Sequence, residues 1–120
     1  MDKIGLGRQG EALAVAYLRK NGYQILERNL RMKFGEIDLV ARKAGTLCFV
    51  EIKARTSLQF GWPEEGVTAE KQRRLGRLAS GYLQRRGLSE VPVRFDVVSV
   101  LLAPDGSGSR IRLIKNAFDF

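Results

Sequence analysis

The sequence predicts an α/β fold in which a mixed β-sheet core is flanked by helices, in the order α-β-β-β-α-β-β. Two segments with helical apolar periodicity, each followed by a glycine, alternate with runs that are typical of strands. A pair of alternating apolar runs surrounds a short glycine-containing turn, which is typical of a β-hairpin. The chain has 120 residues, so we expect a single domain covering residues 1–120.

Both helices have recognisable ends. The first is predicted over about Leu6–Asn21, with Gly22 supplying the left-handed stop. The second is predicted to begin after Thr68, a good N-cap, and to end near Arg86, before Gly87. Its apolar positions fall on one stripe, which should face the core. The residues of that stripe are Leu75, Leu78, Ala79, Tyr82 and Leu83.

The hairpin is predicted within residues 35–55, with its turn centred on Ala44-Gly45. This register collects apolar residues alone on one face, whereas a shift by one residue would mix the two faces. The residues of that face are Ile37, Leu39, Ala41, Cys48, Val50 and Ile52. Further strands are predicted at Tyr23–Asn29, Val93–Leu102 and Arg110–Lys115.

The composition narrows the chemistry. With 21 Lys and Arg against 13 Asp and Glu, the net charge of +8 favours a nucleic-acid partner over a merely solubilising surface. The absence of histidine and the single Cys48 exclude Ser-His triads, HNH-type nucleases and cysteine-rich zinc sites. A metal would need oxygen ligands, which suit Mg²⁺ or Mn²⁺. No apolar run reaches membrane-spanning length and no signal-peptide core begins the chain, so a cytoplasmic location is expected.

The second face of the predicted hairpin concentrates charge. Asp38 is expected opposite Glu51, and Glu36 opposite Lys53. Like charges opposed across a ladder destabilise a sheet, and a divalent cation between them would reverse that effect. We therefore expect a Mg²⁺ or Mn²⁺ site formed by Asp38, Glu51 and the carbonyl of Ile52, with Lys53 orienting the attacking water. The alternative is a solvated face with an ordinary Glu36–Lys53 pair, which leaves the opposed carboxylates unexplained.

Each helix carries one charged residue on its apolar stripe. Glu11 shares a stripe with Val15 and Leu18, so it is either a site residue that faces inward or a helix-start residue favoured by the dipole. Lys71 precedes Leu75 by one turn. It is either a phosphate contact near the site or a lysine whose stem packs at the helix edge.

Other basic and aromatic residues are candidates for contacts with nucleic acid. The candidates for the phosphate backbone are Arg55, Arg73, Arg74, Arg77, Arg85 and Arg86, although each alone is also consistent with a plain surface charge. Phe60 and Trp62, in the predicted loop 55–67, would either stack on an unpaired base or pack the loop itself.

Four short motifs, in this order and spacing, resemble a known family. They are Gly7–Ala12 (GRQGEA), Gly35–Val40 (GEIDLV), Phe49–Arg55 (FVEIKAR) and Lys71–Leu75 (KQRRL). The chain resembles the YraN-type uncharacterised bacterial proteins, over nearly its whole length. Those proteins are similar to the PD-(D/E)XK nuclease superfamily and, within it, to archaeal Holliday junction resolvases.

The resemblance implies roles for the residues of the hairpin and of the first helix. Asp38 and Glu51 match the metal carboxylates of the superfamily, Lys53 its catalytic lysine and Glu11 its first-helix acid. Ile37 stands where the superfamily pattern has proline, which is the least essential part of that pattern. The resemblance also implies a restriction-endonuclease-like fold, and a homodimer by analogy with the resolvases.

The function expected from the sequence is that of a Mg²⁺- or Mn²⁺-dependent endonuclease, with DNA favoured over RNA as the substrate. The sequence leaves open whether that DNA is branched, flapped, nicked or a plain duplex, and branched DNA is the structure-specific alternative. Lys71 and Gln72 match the polar position of the superfamily's second helix and, with Arg55 and Arg74, are expected to contact nucleic acid. The rival hypothesis is a DNA-binding protein that uses the fold without cleavage. A third hypothesis, binding to an acidic membrane surface, is disfavoured because the basic residues do not line one amphipathic face.

Overall fold

A computed structural model describes residues 3–56, 67–105 and 107–118. Its elements in chain order are α1 (Lys3–Lys20), β1 (Gln24–Met32), β2 (Gly35–Lys43), β3 (Thr46–Arg55), α2 (Ala69–Arg86), β4 (Val93–Leu102) and β5 (Ser109–Ile114). The predicted α/β fold and its order of elements are confirmed. The aromatic pair Phe60 and Trp62 lies outside the described residues.

One five-stranded sheet has the order β1-β2-β3-β4-β5. Neighbouring strands are antiparallel except for β3 and β4, which are parallel. A parallel pair needs a crossover connection, and α2 lies in the chain segment that makes it. The sheet is therefore mixed, and β3 is its central strand.

A helix covers each face of the sheet. Ala14, Val15 and Leu18 of α1 belong to a core cluster with alternate residues of β2, β3 and β4. The stripe of α2 forms a second cluster on the opposite face, where Phe49 and Phe95 stack with their ring centroids 5.5 Å apart. In the described ranges of the chain, neither helix is long and apolar enough to cross a membrane.

The ends of α2 are as predicted. The Thr68 hydroxyl accepts a hydrogen bond from the Lys71 N–H at 3.3 Å, which satisfies one of the free donors at the helix start. Gly87 has φ +65° and ends the helix in the left-handed conformation. The strand Val93–Leu102 agrees with its predicted bounds, whereas β1 extends past Asn29 to Met32.

The hairpin turn and its first five pairs are also as predicted. Ala44 and Gly45 have φ values of +50° and +81°, the left-handed values that a two-residue hairpin turn requires. Pairing then runs from Lys43 opposite Thr46 to Leu39 opposite Val50.

Two details of the predicted hairpin are wrong beyond that point. The β2–β3 ladder ends at Leu39–Val50, so Asp38 and Glu51 are not a ladder pair. Ile37 packs in the α2 cluster, although Leu39 packs in the α1 cluster. Residues two apart on a regular strand share a face, so the backbone alternation is broken at Asp38. Most of the paired part is core on both faces, and Asp38, Glu51 and Lys53 lie at the unpaired end.

Candidate metal and nucleic-acid site

The site lies where β2 and β3 separate. Beyond Leu39, β2 continues to pair with β1, and beyond Val50, β3 continues to pair with β4. The Asp38 carboxylate bridges the gap, because its Oδ2 accepts a hydrogen bond from the Ile52 N–H at 2.8 Å. A side chain thus replaces the backbone partner in the ladder. The separation opens a cleft of about 840 Å³ between the two strands and α1.

The carboxylates of Asp38 and Glu51 interact electrostatically near this opening. Burial raises the pKa of Glu51 to about 7, and the negative charge of Asp38 adds to the rise, while Lys53 and Lys71 oppose it. Burial also raises the pKa of Asp38, against the lowering effect of the Ile52 N–H. Both groups are therefore disfavoured as simultaneous anions unless a cation joins them.

Two lysines lie beside the carboxylates. The Lys53 ammonium is 3.7 Å from a Glu51 carboxylate oxygen, and the two side chains are only 21% and 16% exposed. The nearby Lys53 ammonium and burial lower the pKa of Lys71, while the negative charge of Glu51 opposes the change. Two amines that repel each other form a ready site for an anion such as a phosphate. The structure places Lys71 near Lys53 and Glu51, and its contact with a phosphate stays a prediction.

Glu11 reaches the same cleft from α1, as the inward-facing interpretation predicted. The helix begins at Lys3, so Glu11 lies in its interior and not in its first turn, which removes the explanation by the helix dipole. Its Oε1 accepts hydrogen bonds from the Arg28 guanidinium at 3.1 Å and from the Asn29 amide at 2.9 Å. Together with Asp38 it lines the cleft.

A glycine sets how closely α1 approaches the site. A Cβ built on Gly10 would lie 2.5 Å from the Cβ of Ala54 on β3, which is closer than two carbon atoms pack. Only glycine lets the helix lie this near the strand. Its neighbour Glu11 is carried towards the cleft by this contact.

The remaining predicted contacts with nucleic acid occupy different positions. Arg55 ends β3, half-buried and paired with Leu101. The Gln72 amide donates to the carbonyl of Val67 at 3.1 Å, so it secures the start of α2. Arg74 is exposed one turn beyond Lys71 and lines a second groove.

Sequence reasoning missed the two residues that hold Glu11. Arg28 and Asn29 come from β1, and Asn29 has φ +51°, a left-handed value that is uncommon in a strand. The residue opposite it in the register of β1 would be Asp38, and this pair is absent from the ladder. Asparagine is depleted in strands and tolerates this conformation, so its presence inside β1 was the available signal.

The donor set fits a hard divalent cation. In the part of the chain that the structure describes, no three Asp, Glu, Cys or His side chains form a metal cluster by themselves. Asp38 and Glu51 would supply two carboxylates, and Mg²⁺ is commonly held by one or two of these while it keeps several waters. The raised pKa values of both groups agree with this assignment.

The fold and the site together define the class of this protein. It is a small α/β protein whose carboxylates and lysines lie where strands β2 and β3 of the central hairpin separate. The sequence profile of the uncharacterised protein family UPF0102 matches residues 10–100, and the chain belongs to this family.

The relatives that resemble this chain share nearly its whole length. A UPF0102 protein of Caldicellulosiruptor saccharolyticus is 48% identical over 118 residues, which cover 98% of this chain and 100% of the relative. A UPF0102 protein of Symbiobacterium thermophilum is 53% identical over 113 residues, covering 94% of this chain and 95% of the relative. A third, from Lachnoclostridium phytofermentans, is 50% identical over 120 residues, covering 99% and 97%.

Proposed function

We propose that this protein is a metal-dependent endonuclease that hydrolyses phosphodiester bonds in DNA. One observation carries the proposal: a pair of carboxylates with raised pKa values lies directly beside a pair of lysines. The first pair suits a divalent cation and the second suits a phosphate. A phosphodiester bound with a divalent cation satisfies both pairs at once.

Asp38 and Glu51 would hold the metal, which would supply Lewis-acid activation of the phosphate and of a water. Lys53, which is mostly buried, orients that water and stabilises negative charge that develops on the phosphate. Lys71 contacts a phosphate oxygen from the side of α2. Glu11 holds a further position in the cleft through its hydrogen bonds to Arg28 and Asn29.

We further propose membership of the PD-(D/E)XK nuclease superfamily, with a restriction-endonuclease-like fold. The support is the order of its elements and the position of Asp38, Glu51 and Lys53 on the two strands of one hairpin. The same resemblance extends the proposal to a homodimer acting on branched DNA in the cytoplasm, and light scattering of the purified protein tests its oligomeric state.

The charge of +8 supports binding through phosphates with little preference for sequence. The logarithm of the association constant should then fall linearly with the logarithm of the salt concentration, with a slope set by the number of phosphates neutralised. An affinity that is constant between low and physiological salt contradicts this mode of binding.

The experiment that tests the enzyme is a cleavage panel of labelled branched, flapped, nicked and plain duplex DNAs, with an RNA counterpart, in Mn²⁺, in Mg²⁺ and in EDTA. The matched control is Glu51→Gln, which keeps the shape of the side chain and removes its charge. We expect cleavage of DNA that needs the divalent cation and is lost in the variant. Equal residual nicking by wild type and variant would identify a contaminant and would favour the non-catalytic DNA-binding protein.

A further inference from the structure

A second groove lies beside the site, between the β1–β2 turn and α2. It has a volume of about 530 Å³. Its floor is apolar and formed by Met32, Leu78 and Gly81. Its rim is basic, with Lys33, Arg74, Arg77 and Arg85. Nothing in the proposed cleavage chemistry uses this groove.

Two glycines allow the turn to pack against α2. Gly35 has φ +156°, and a Cβ there would lie 3.2 Å from a methyl group of Leu78. A Cβ on Gly81 would lie 3.3 Å from the terminal carbon of Met32. The turn is therefore held on the helix by contacts that a larger residue at either position would disturb, and its shape is a built feature of the fold.

The turn projects an aromatic ring into solvent. Phe34 is 79% exposed, which is unusual for a side chain of this size and hydrophobicity. The Lys33 ammonium lies 5.4 Å from the centre of the ring. An exposed ring flanked by a cation is the arrangement on which nucleic-acid bases stack in proteins that bind single strands.

The charge of the side chains that line the groove indicates which kind of ligand it binds. All of the charged side chains that line it are basic, within the described part of the chain. An apolar peptide would leave these cations unpaired, whereas a nucleotide strand supplies a phosphate for the rim and a flat apolar base for the ring. The groove therefore complements an unpaired nucleotide strand better than it complements an apolar partner.

Lys71, at the candidate catalytic site, lies on the same side of α2 as residues that line the groove. Lys71, Arg74, Leu78, Gly81 and Arg85 recur at intervals of three and four residues, so they lie along one side of the helix. Lys71 is at the site and Arg85 is at the far end, about 21 Å away at the rise of an α-helix. A strand whose scissile phosphate lies at the site can thus run directly into the groove.

We infer that this groove binds the unpaired part of a DNA strand, with one base stacked on Phe34 and the adjoining phosphates on Arg77 and Arg85. This inference rests on the proposed function, and it specifies the substrate class as DNA that carries a single-stranded segment next to the bond to be cut. The paired part of the substrate would lie on the side of the site towards α1.

The test measures binding in EDTA, so that it does not depend on cleavage. Fluorescence anisotropy compares a labelled duplex with a single-stranded extension, of either polarity, with the same duplex made blunt. Phe34→Ala should weaken binding of the extended duplex by about 5- to 150-fold, the effect of losing one stacked base, and should leave the blunt duplex within about twofold. Phe34→Trp should retain wild-type affinity. Because the ring is exposed, thermal melts of both variants should match wild type.

A second pair of variants separates the groove from the overall charge. Arg77→Gln with Arg85→Gln removes two positive charges from the rim, and Arg19→Gln with Arg110→Gln removes two from exposed positions on α1 and β5. We expect the first double variant to bind the extended duplex about tenfold more weakly than the second. Equal losses in the two double variants would overturn the assignment of the groove.

The remaining outcomes are also decisive. Loss of affinity for both duplexes alike in Phe34→Ala, or for neither, overturns the stacking role. Tighter binding of an RNA extension than of the DNA one overturns the choice of DNA. If Phe34→Ala lost binding to phosphatidylserine vesicles but kept its affinity for both duplexes, the groove would be assigned to a membrane instead. A separate Mn²⁺ cleavage assay tests the proposed enzyme. Selective binding of the extended duplex without cleavage would refute the nuclease and support the assignment of the groove. Cleavage without selective binding of the extended duplex would support the nuclease and refute the assignment of the groove.

Discussion

Buried carboxylates at the two ends of the sheet have opposite environments. At one end Asp96 of β4 is fully buried and accepts hydrogen bonds from the Tyr23 hydroxyl, the Arg94 guanidinium and the Asn116 N–H, at 2.9–3.1 Å. At the other end Asp38, half-buried, accepts a hydrogen bond from the Ile52 N–H and lies against the other acids of the cleft, and its pKa is raised.

The difference separates a structural carboxylate from a functional one. A buried charge that is paired and hydrogen-bonded holds elements together, and here Asp96 joins the start of β1, strand β4 and the chain after β5. A carboxylate that is buried against like charges costs stability until a ligand binds. The same residue type, on the same sheet, therefore serves two purposes that only its partners distinguish.

The largest effect expected from this contrast is on cleavage. Asp38→Asn and Lys53→Ala should each lower the rate of Mn²⁺-dependent DNA cleavage by about 10³-fold or more. When catalytic residues act together, the loss of any one of them removes most of the rate enhancement. Affinity for DNA in EDTA should remain within a few-fold, since other basic residues supply most of the attraction. Single-turnover cleavage and anisotropy measure the two quantities. Weakened binding that accounts for the whole loss of cleavage would contradict a catalytic role.

Asp96→Ala should affect stability instead. Removing one partner of a buried ion pair leaves the Arg94 charge unpaired, so the free energy of unfolding should fall by about 3–5 kcal/mol. For a domain of this size we expect a lower melting temperature by about 10–20 °C. Chemical denaturation and a thermal melt measure the change, and Asp105→Ala, on an exposed turn, is the control. A change below about 1 kcal/mol would show that Asp96 is not a structural anchor.

The same contrast explains what the sequence could predict. Local signals set the hairpin, because the left-handed turn at Ala44-Gly45 and the alternation beside it fix the register. The helix ends at Thr68 and Gly87 are equally local. Such features need only neighbouring residues, and all of them were predicted correctly.

Contacts between distant residues could not be inferred in this way. Tyr23 and Asp96 are 73 positions apart, and nothing in either segment indicates the other. The β2–β3 ladder ends beside Asp38, and the left-handed Asn29 lies opposite Asp38 in a third strand, so alternation alone suggested a longer ladder than exists. The types and spacing of the hairpin residues predicted the candidate site, whose role stays a prediction. They did not indicate that α2 packs on the second face of the hairpin.

Helix α1 runs between the two ends of the sheet. Substitutions at two of its glycines test how closely it packs on the sheet. Gly10→Ala should lower the free energy of unfolding by about 1–3 kcal/mol, because the new methyl group would lie 2.5 Å from the Cβ of Ala54. Gly7→Ala meets nothing within 4 Å and should raise it by up to about 1 kcal/mol, through helix propensity. Urea denaturation of the two variants gives both signs. Opposite signs confirm the close approach of α1, and equal signs contradict it.

The smallest expected effect is the pH dependence of Glu51, and its sign follows from the raised pKa. Since the pKa is about 7 in the folded protein and 4.5 as the ordinary value, the folded state binds the proton more tightly than the unfolded state. The free energy of unfolding should therefore fall as the pH rises from about 4.5 through 7. Glu51→Gln removes this fall. In EDTA at pH 8 the variant should be more stable than wild type by about 0.5–2 kcal/mol, because it places a neutral amide where wild type holds an unfavourable buried charge.

At pH 5 that difference should be close to zero, since wild-type Glu51 is then protonated in the folded state. Guanidinium denaturation at the two pH values measures it, and Glu90→Gln, at an exposed position, should show no such change with pH. Millimolar Mn²⁺ should stabilise wild type at pH 8 and leave Glu51→Gln nearly unaffected, because a ligand that binds only the folded state raises its stability. A variant that is less stable than wild type at pH 8 would mean that Glu51, like Asp96, is held by partners that satisfy its charge. The contrast between the two ends of the sheet would then be lost.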